Sequence, residues 1–179
     1  MFGSTFAPRF TVSRLAAIAL FAAAVPPATT SAATYNNGTT TSTFDVTMTI
    51  VANCKVAATA LDFGQAQGVL STTVAVNSNI NVTCSNTTPY NVGLNAGSGA
   101  GSSGTTRYLS GTGGNTSTVR FNLFQAAGTT PWGDTQGTNT HGGVGNGSAQ
   151  ALTVYGEVPT QTTPQPDTYK STITATVYF

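Results

Sequence analysis

From residue 43 onward apolar side chains recur at every second position, and this spacing restricts the fold more than any other property of the chain. In TFDVTMTIVANC (residues 43–54), Phe44, Val46, Met48 and Ile50 alternate with Asp45, Thr47 and Thr49. A period of two sends neighbouring side chains to opposite faces of a strand, so one apolar face must find a sheet. The pattern returns in Cys54–Phe63, in Val69–Val76 and in Asn79–Cys84, where Ile80, Val82 and Cys84 share a face. It recurs at Tyr90, Val92 and Leu94, at Val119, Phe121 and Leu123, and at Leu152 and Val154. The last run, YKSTITATVYF, puts Ile173, Ala175, Val177 and Phe179 on one side and carries a strand to the final residue. Thr fills most of the outward positions, which suits a sheet because its branched β-carbon is stiff. No helical period follows the first thirty residues. Short strands between turn-rich stretches predict an all-β sandwich or barrel.

The N-terminal region reads differently. Arg9 and Arg14 precede the apolar run LAAIALFAAAV (Leu15 to Val25), and small residues stand at Ser31 and Ala33. A basic segment, an apolar segment and a small-x-small site predict a secretory signal peptide over residues 1–33, cut before Thr34. Its 11 apolar residues fall short of the roughly 20 needed to span a bilayer. Residues 34–43, TYNNGTTTST, form a flexible lead-in, and no domain boundary is visible within 44–179. Of six Lys and Arg, removing Arg9 and Arg14 leaves four, against five Asp and Glu. That balance supplies no field for nucleic acid or an anionic membrane surface. Cys54 and Cys84 are the two cysteines. In an oxidising compartment they predict one disulfide, worth about 3–4 kcal/mol for a loop of roughly 30 residues.

Catalysis requires titratable or metal-binding groups that converge. The one histidine, His141, lies in the Gly-rich THGGVGNG and is expected to be a solvated loop residue. Asp62, Asp134, Glu157 and Asp167 could supply a glycosidase pair, but each sits where a turn, a Pro-rich loop or a neighbouring glycine explains it. GSGAGSSG (97–104) offers glycines without the following helix that a phosphate site needs. Trp132 and Tyr155 are expected to pack rather than stack on sugars. No enzyme activity, metal or cofactor is expected.

Several motifs occur together in order: ALDFG (60–64), INVTC (80–84), TRYLSG (106–111), FNLFQAAGTTPWGD (121–134), TVYGEVP (153–159) and TYKSTITATVYF (168–179). The ordered set resembles the spore coat protein U family, which includes Csu-type subunits of archaic chaperone–usher pili. The resemblance implies an incomplete immunoglobulin-like Greek-key β-sandwich that a donor strand completes. It also implies a periplasmic chaperone, an outer-membrane usher, and identical or related subunits joined head to tail, with no nucleic acid and no stable membrane insertion. A donor strand must be extended, alternating and near a terminus; Phe44, Val46, Met48 and Ile50 satisfy those demands. The other readings are that residues 44–51 form the first strand of their own sandwich, or that the donor lies further upstream. Ile173, Ala175, Val177 and Phe179 would flank the groove and offer an edge to the chaperone, whose basic residues would hold the Phe179 carboxylate.

The expected organisation is therefore a signal peptide (1–33), an N-terminal extension carrying the donor strand (34–52) and a pilin-type sandwich (53–179). The expected function is a structural subunit of a surface pilus, exported through the periplasm and supporting adhesion and biofilm formation. A single mature domain argues against a tip adhesin. Alternatives are a spore or cell-surface coat protein of the same fold, a monomeric secreted carbohydrate-binding module using Trp132, and, last, an exported hydrolase.

Overall fold

The computed structural model describes residues 34–35, 37–65 and 70–179. The expected signal peptide lies outside these residues, as does Val69. The chain divides into two units, Met1–Val46 and Thr47–Phe179. In the first, residues 34–35 and 37–46 form no strand. The second unit is all-β.

Ten strands follow in order: β1 (Cys54–Ala58), β2 (Val74–Cys84), β3 (Pro89–Leu94), β4 (Arg107–Gly111), β5 (Thr118–Ala126), β6 (Thr130–Pro131), β7 (His141–Val144), β8 (Ala149–Val158), β9 (Tyr169–Lys170) and β10 (Ala175–Tyr178). They build a larger sheet of order β1-β2-β8-β5-β4-β9, with β6 paired to β5, and a smaller one of order β10-β3-β7. Every pairing among the described residues is antiparallel. This arrangement lets each sheet turn one apolar face to the other and one polar face to water.

The longest pairing, β2 with β8, runs from Val74 opposite Val158 to Thr83 opposite Ala149. Along β2, Ser78, Ile80, Val82 and Cys84 are buried while Asn77, Asn79 and Asn81 are exposed, the alternation a two-sided sheet demands. From the smaller sheet, Tyr90, Val92 and Leu94 point into the same core, which Val119, Phe121, Leu123, Val154 and Val158 complete.

Four expectations need correction. Residues 44–51 form no strand among the described residues, so they are not the first strand of their own sandwich. The run YKSTITATVYF is not one strand to the final residue: only Tyr169–Lys170 and Ala175–Tyr178 pair, on different sheets, and Phe179 lies outside. The run Cys54–Phe63 is a strand only to Ala58, although Thr59 N still donates to Asn79 O of β2 at 2.9 Å. Residues 74–76 and the run at 79–84 are one strand, joined through the inward Ser78, whose hydroxyl donates to the carbonyls of Thr59 (2.7 Å) and Ala60 (3.2 Å), while 70–73 lie outside it. A buried hydroxyl with partners behaves as a core position although it reads as polar.

Candidate functional site: a cleft between two sheet edges

Strand β1 pairs on one side with β2, and β10 on one side with β3. Among the described residues each leaves a row of backbone N–H and C=O groups without a ladder partner, the arrangement that can receive an added strand. A cleft of about 1250 Å³ opens between Ala58–Gln65, which continues from β1, and Lys170–Ala175, which leads into β10. Ile80, Leu94, Phe121 and Val154, drawn from both sheets, form its floor. Each of these is itself almost wholly covered.

The wall after β1 is built by ALDFG. Leu61 and Phe63 point inward, and they fit because β8 presents no side chain at Gly156. A β-carbon there would lie 2.6 Å from Leu61 Cδ1 and 3.2 Å from Phe63 Cζ. Phe63 meets Phe121 edge to face with centroids 6.1 Å apart, a favoured aromatic geometry. Asp62 turns outward and its carboxylate accepts from Gly64 N at 2.8 Å, closing the turn. The disulfide Cys54–Cys84 staples β1 to β2 at directly opposed positions, as the sequence predicts.

The opposite wall is pinned from the β3–β4 connection. Asn95 N donates to Thr174 O and Thr174 N donates to Asn95 Oδ1, at 3.1 and 2.9 Å. Ser98 N donates to Thr172 O, and Thr172 N returns a bond to Ser98 Oγ. Ile173, Ala175 and Val177 are half-buried against the core, while Phe179 lies beyond β10 and is 60% exposed.

Phe44, Val46, Met48 and Ile50 are 77–86% exposed, and Val51 is also bare. Exposed apolar side chains concentrated in one short stretch mark a surface that binds something. The chain joins the sheet just after them: Ser85 N donates to Asn53 O, and Asn53 N to Ser85 Oγ.

The TRYLSG and PWGD motifs meet at a buried arginine that sequence reasoning missed. Arg107 is wholly buried, yet no carboxylate pairs with it among the described residues. Its Nη2 donates to the carbonyls of Leu94 and Trp132 (both 2.7 Å), and Nε to that of Asn95 (3.0 Å). Three carbonyls replace part of the water that burial removes, while Nη1 is buried without a hydrogen-bond partner among the described residues. Burial pulls the guanidinium down to about 10, with the Asp134 carboxylate acting in the opposite sense. It stays charged at neutral pH.

Trp132 packs, as expected: it is fully buried and its Nε1 donates to Val92 O at 2.8 Å. That position removes the sugar-stacking surface of the carbohydrate-binding alternative. His141 is not in a solvated loop. It lies on β7 opposite Val92, half-buried, with its ring 5.4 Å from the Trp132 ring. The carboxylates have local partners: Asp134 accepts from Tyr178 OH at 2.8 Å, and Asp167 from Gly113 N at 2.9 Å and from Asn115 Nδ2. Glu157 lies on β8 opposite Ala75 and Asn122. Among the described residues no three His, Cys, Asp or Glu side chains gather as metal ligands would.

These features define an all-β sandwich with two open edges and an apolar cleft between them. The chain belongs to the Spore Coat Protein U domain family, whose profile matches residues 40–176. Among curated proteins no sequence matches it. A solved chain from the CsuC–CsuE chaperone–tip adhesion subunit pre-assembly complex of the archaic chaperone–usher Csu pili of Acinetobacter baumannii has a similar fold. The match has a TM-score of 0.55 and 20% identity, and covers 73% of this chain and 41% of that one. The present chain thus spans about two-fifths of that chain's length. The E. coli Hda pilus minor tip subunit, HdaB, is matched more loosely, with a TM-score of 0.36, 17% identity, and 70% of this chain against 79% of that one.

Proposed function

We propose that this protein is a structural subunit of a surface pilus of the archaic chaperone–usher type, assembled by donor-strand exchange. Residues 34–52 form the extension that carries the donor strand, and residues 53–179 form the receiving sandwich. Residues 1–33 direct export through the periplasm. Phe44, Val46, Met48 and Ile50 of one subunit enter the cleft of the next, and Ile173, Ala175, Val177 and Phe179 form the groove edge. A periplasmic chaperone fills that edge before assembly, and an outer-membrane usher exchanges it for the incoming subunit. The fibre supports adhesion and biofilm formation.

The single observation that carries this reading is the match between a surplus and a deficit. Four alternating apolar side chains have no sheet, and a sandwich with two free edges lacks a strand. Burying four such side chains contributes about 6–12 kcal/mol before the costs of ordering and association. Backbone pairing to an open edge adds affinity, and alternate side chains set the register. Because donor and acceptor occupy different parts of one chain, the contact is head to tail and does not close on itself, which yields a fibre. Family membership and the fold shared with a chain of a chaperone–subunit pre-assembly complex support a chaperone partner.

The test is a synthetic peptide of residues 43–52 added to the purified full chain. The peptide is expected to raise Tm and to suppress assembly into high-mass species. A peptide carrying Met48→Arg, with a charge in the middle of the apolar face, is expected to do neither. Equal behaviour of the two peptides would remove donor-strand exchange from consideration.

A further inference from the structure

We infer that Tyr178, Asp134 and Arg107 form a clamp that sets the position of β10, and through it the width of the cleft. This rests on the donor-strand reading only for its consequence in partner binding.

β10 is four residues long and paired on one side, from Ala175 opposite Leu94 to Tyr178 opposite Asn91. A short edge strand with one ladder opens readily. Its inward residues Ala175 and Val177 touch the core, but they are small and only half-buried. The outward face carries a second attachment. Tyr178 OH donates to Asp134 Oδ1 at 2.8 Å, and Asp134 lies across β3 where Gly93 leaves room for it; a β-carbon at Gly93 would collide with the carboxylate.

Asp134 is fixed in turn from inside. The preceding corner accepts from β3 through Gly133 O to Leu94 N (2.8 Å), and Trp132 Nε1 holds Val92 O. Arg107 then draws the carbonyls of Trp132, Leu94 and Asn95 onto one guanidinium. A continuous chain of contacts therefore runs from a buried cation in the larger sheet, through β3 and the corner, to the last residue of β10. Leu94 both bonds that cation through its carbonyl and forms part of the cleft floor, so the clamp and the cleft share a floor residue. Asp134 holds the Tyr178 phenol above its ordinary value, chiefly through their hydrogen bond, and opposes the downward pull on Arg107; both directions agree with a carboxylate placed between the two.

The test compares the full chain with Tyr178→Phe, Asp134→Ala and Asp134→Asn, each outside the cleft. Two quantities are read: amide hydrogen exchange along β10 relative to β7, and dissociation of a labelled peptide of residues 43–52. In Tyr178→Phe and Asp134→Ala the β10 amides are expected to exchange roughly fivefold faster while β7 is unchanged, and the peptide to leave faster by a similar factor. Asp134→Asn keeps an oxygen acceptor and is expected to stay close to the wild type. The double variant Tyr178→Phe/Asp134→Ala is expected to be no worse than either single, as for one shared contact. Unchanged β10 exchange in Tyr178→Phe, or additive effects in the double variant, would overturn the clamp. If the wild type binds no peptide, donor-strand exchange falls, and the exchange measurement still decides the clamp.

Discussion

A β-carbon on Gly156 would lie 2.6 Å from Leu61 Cδ1, so the bare backbone of β8 is the seat on which the cleft wall rests. Gly156→Val fills that seat and pushes Leu61 and Phe63 outward. The expected loss is about 1–3 kcal/mol, the usual cost of overpacking, read from the midpoint of guanidinium denaturation. Gly156→Ala should lose less, because the end of the Leu61 side chain can move aside.

The disulfide closes a loop of sequence separation 30 between opposed residues on β1 and β2. Replacing both Cys54 and Cys84 with Ala should lower stability by about 3–4 kcal/mol if restriction of the unfolded chain is the main effect. Urea denaturation of the oxidised protein, the reduced protein and the double variant checks this. Reduced protein and double variant should agree with each other and differ from the oxidised chain.

Removing the Arg107 side chain takes the donor from two buried carbonyls, those of Leu94 and Trp132, and from the half-buried carbonyl of Asn95. Arg107→Ala should therefore destabilise by about 3–5 kcal/mol, through lost hydrogen bonds and an unfilled site. Arg107→Lys keeps the charge but cannot reproduce the planar fork, and should fall between wild type and Ala. The single Trp132, buried two residues before Asp134 and bonded to Arg107 through its carbonyl, gives the readout: its emission should shift red in Arg107→Ala.

Burial raises the Tyr90 phenol above its ordinary value. The unfolded chain ionises this group near pH 10. A folded-state pKa above the unfolded one gives stability that is complete below about pH 10 and is lost as pH rises through the folded value. Arg107, lowered to about 10 by burial, has the opposite sign: folding gains as pH rises above that value. The two are separated by comparing the wild type with Tyr90→Phe. The stability difference between them should shrink or turn in favour of Phe above pH 10, and the variant should lack one late-titrating phenol in an absorbance titration.

Much of the fold was legible because a residue's face in a strand depends on neighbours one and two positions away. Ile80, Val82 and Cys84, or Tyr90, Val92 and Leu94, carry that information locally, and the structure buries them together. The disulfide was legible from the cysteine count and the predicted compartment. Other elements were not. Ser78 broke the apolar run of β2 because its compensation comes from Thr59 and Ala60, 19 and 18 residues away. β7 was hidden by Gly142 and Gly143, yet Gly143 is where the Tyr90 ring needs space. Nothing near Arg107 signals burial, since the carbonyls that solvate it belong to residues 12 to 25 positions distant.

By itself, then, the sequence determined which side chains face inward, that the fold is all-β, and that residues 44–50 carry apolar side chains at every second position. Only the tertiary structure decided which edges stay open. Alternation is a local property of the backbone pleat, whereas a free edge depends on every other pairing in both sheets. Among the described residues β1 ends one sheet and β10 the other, and the cleft opens between the segment that continues from β1 and the segment that leads into β10.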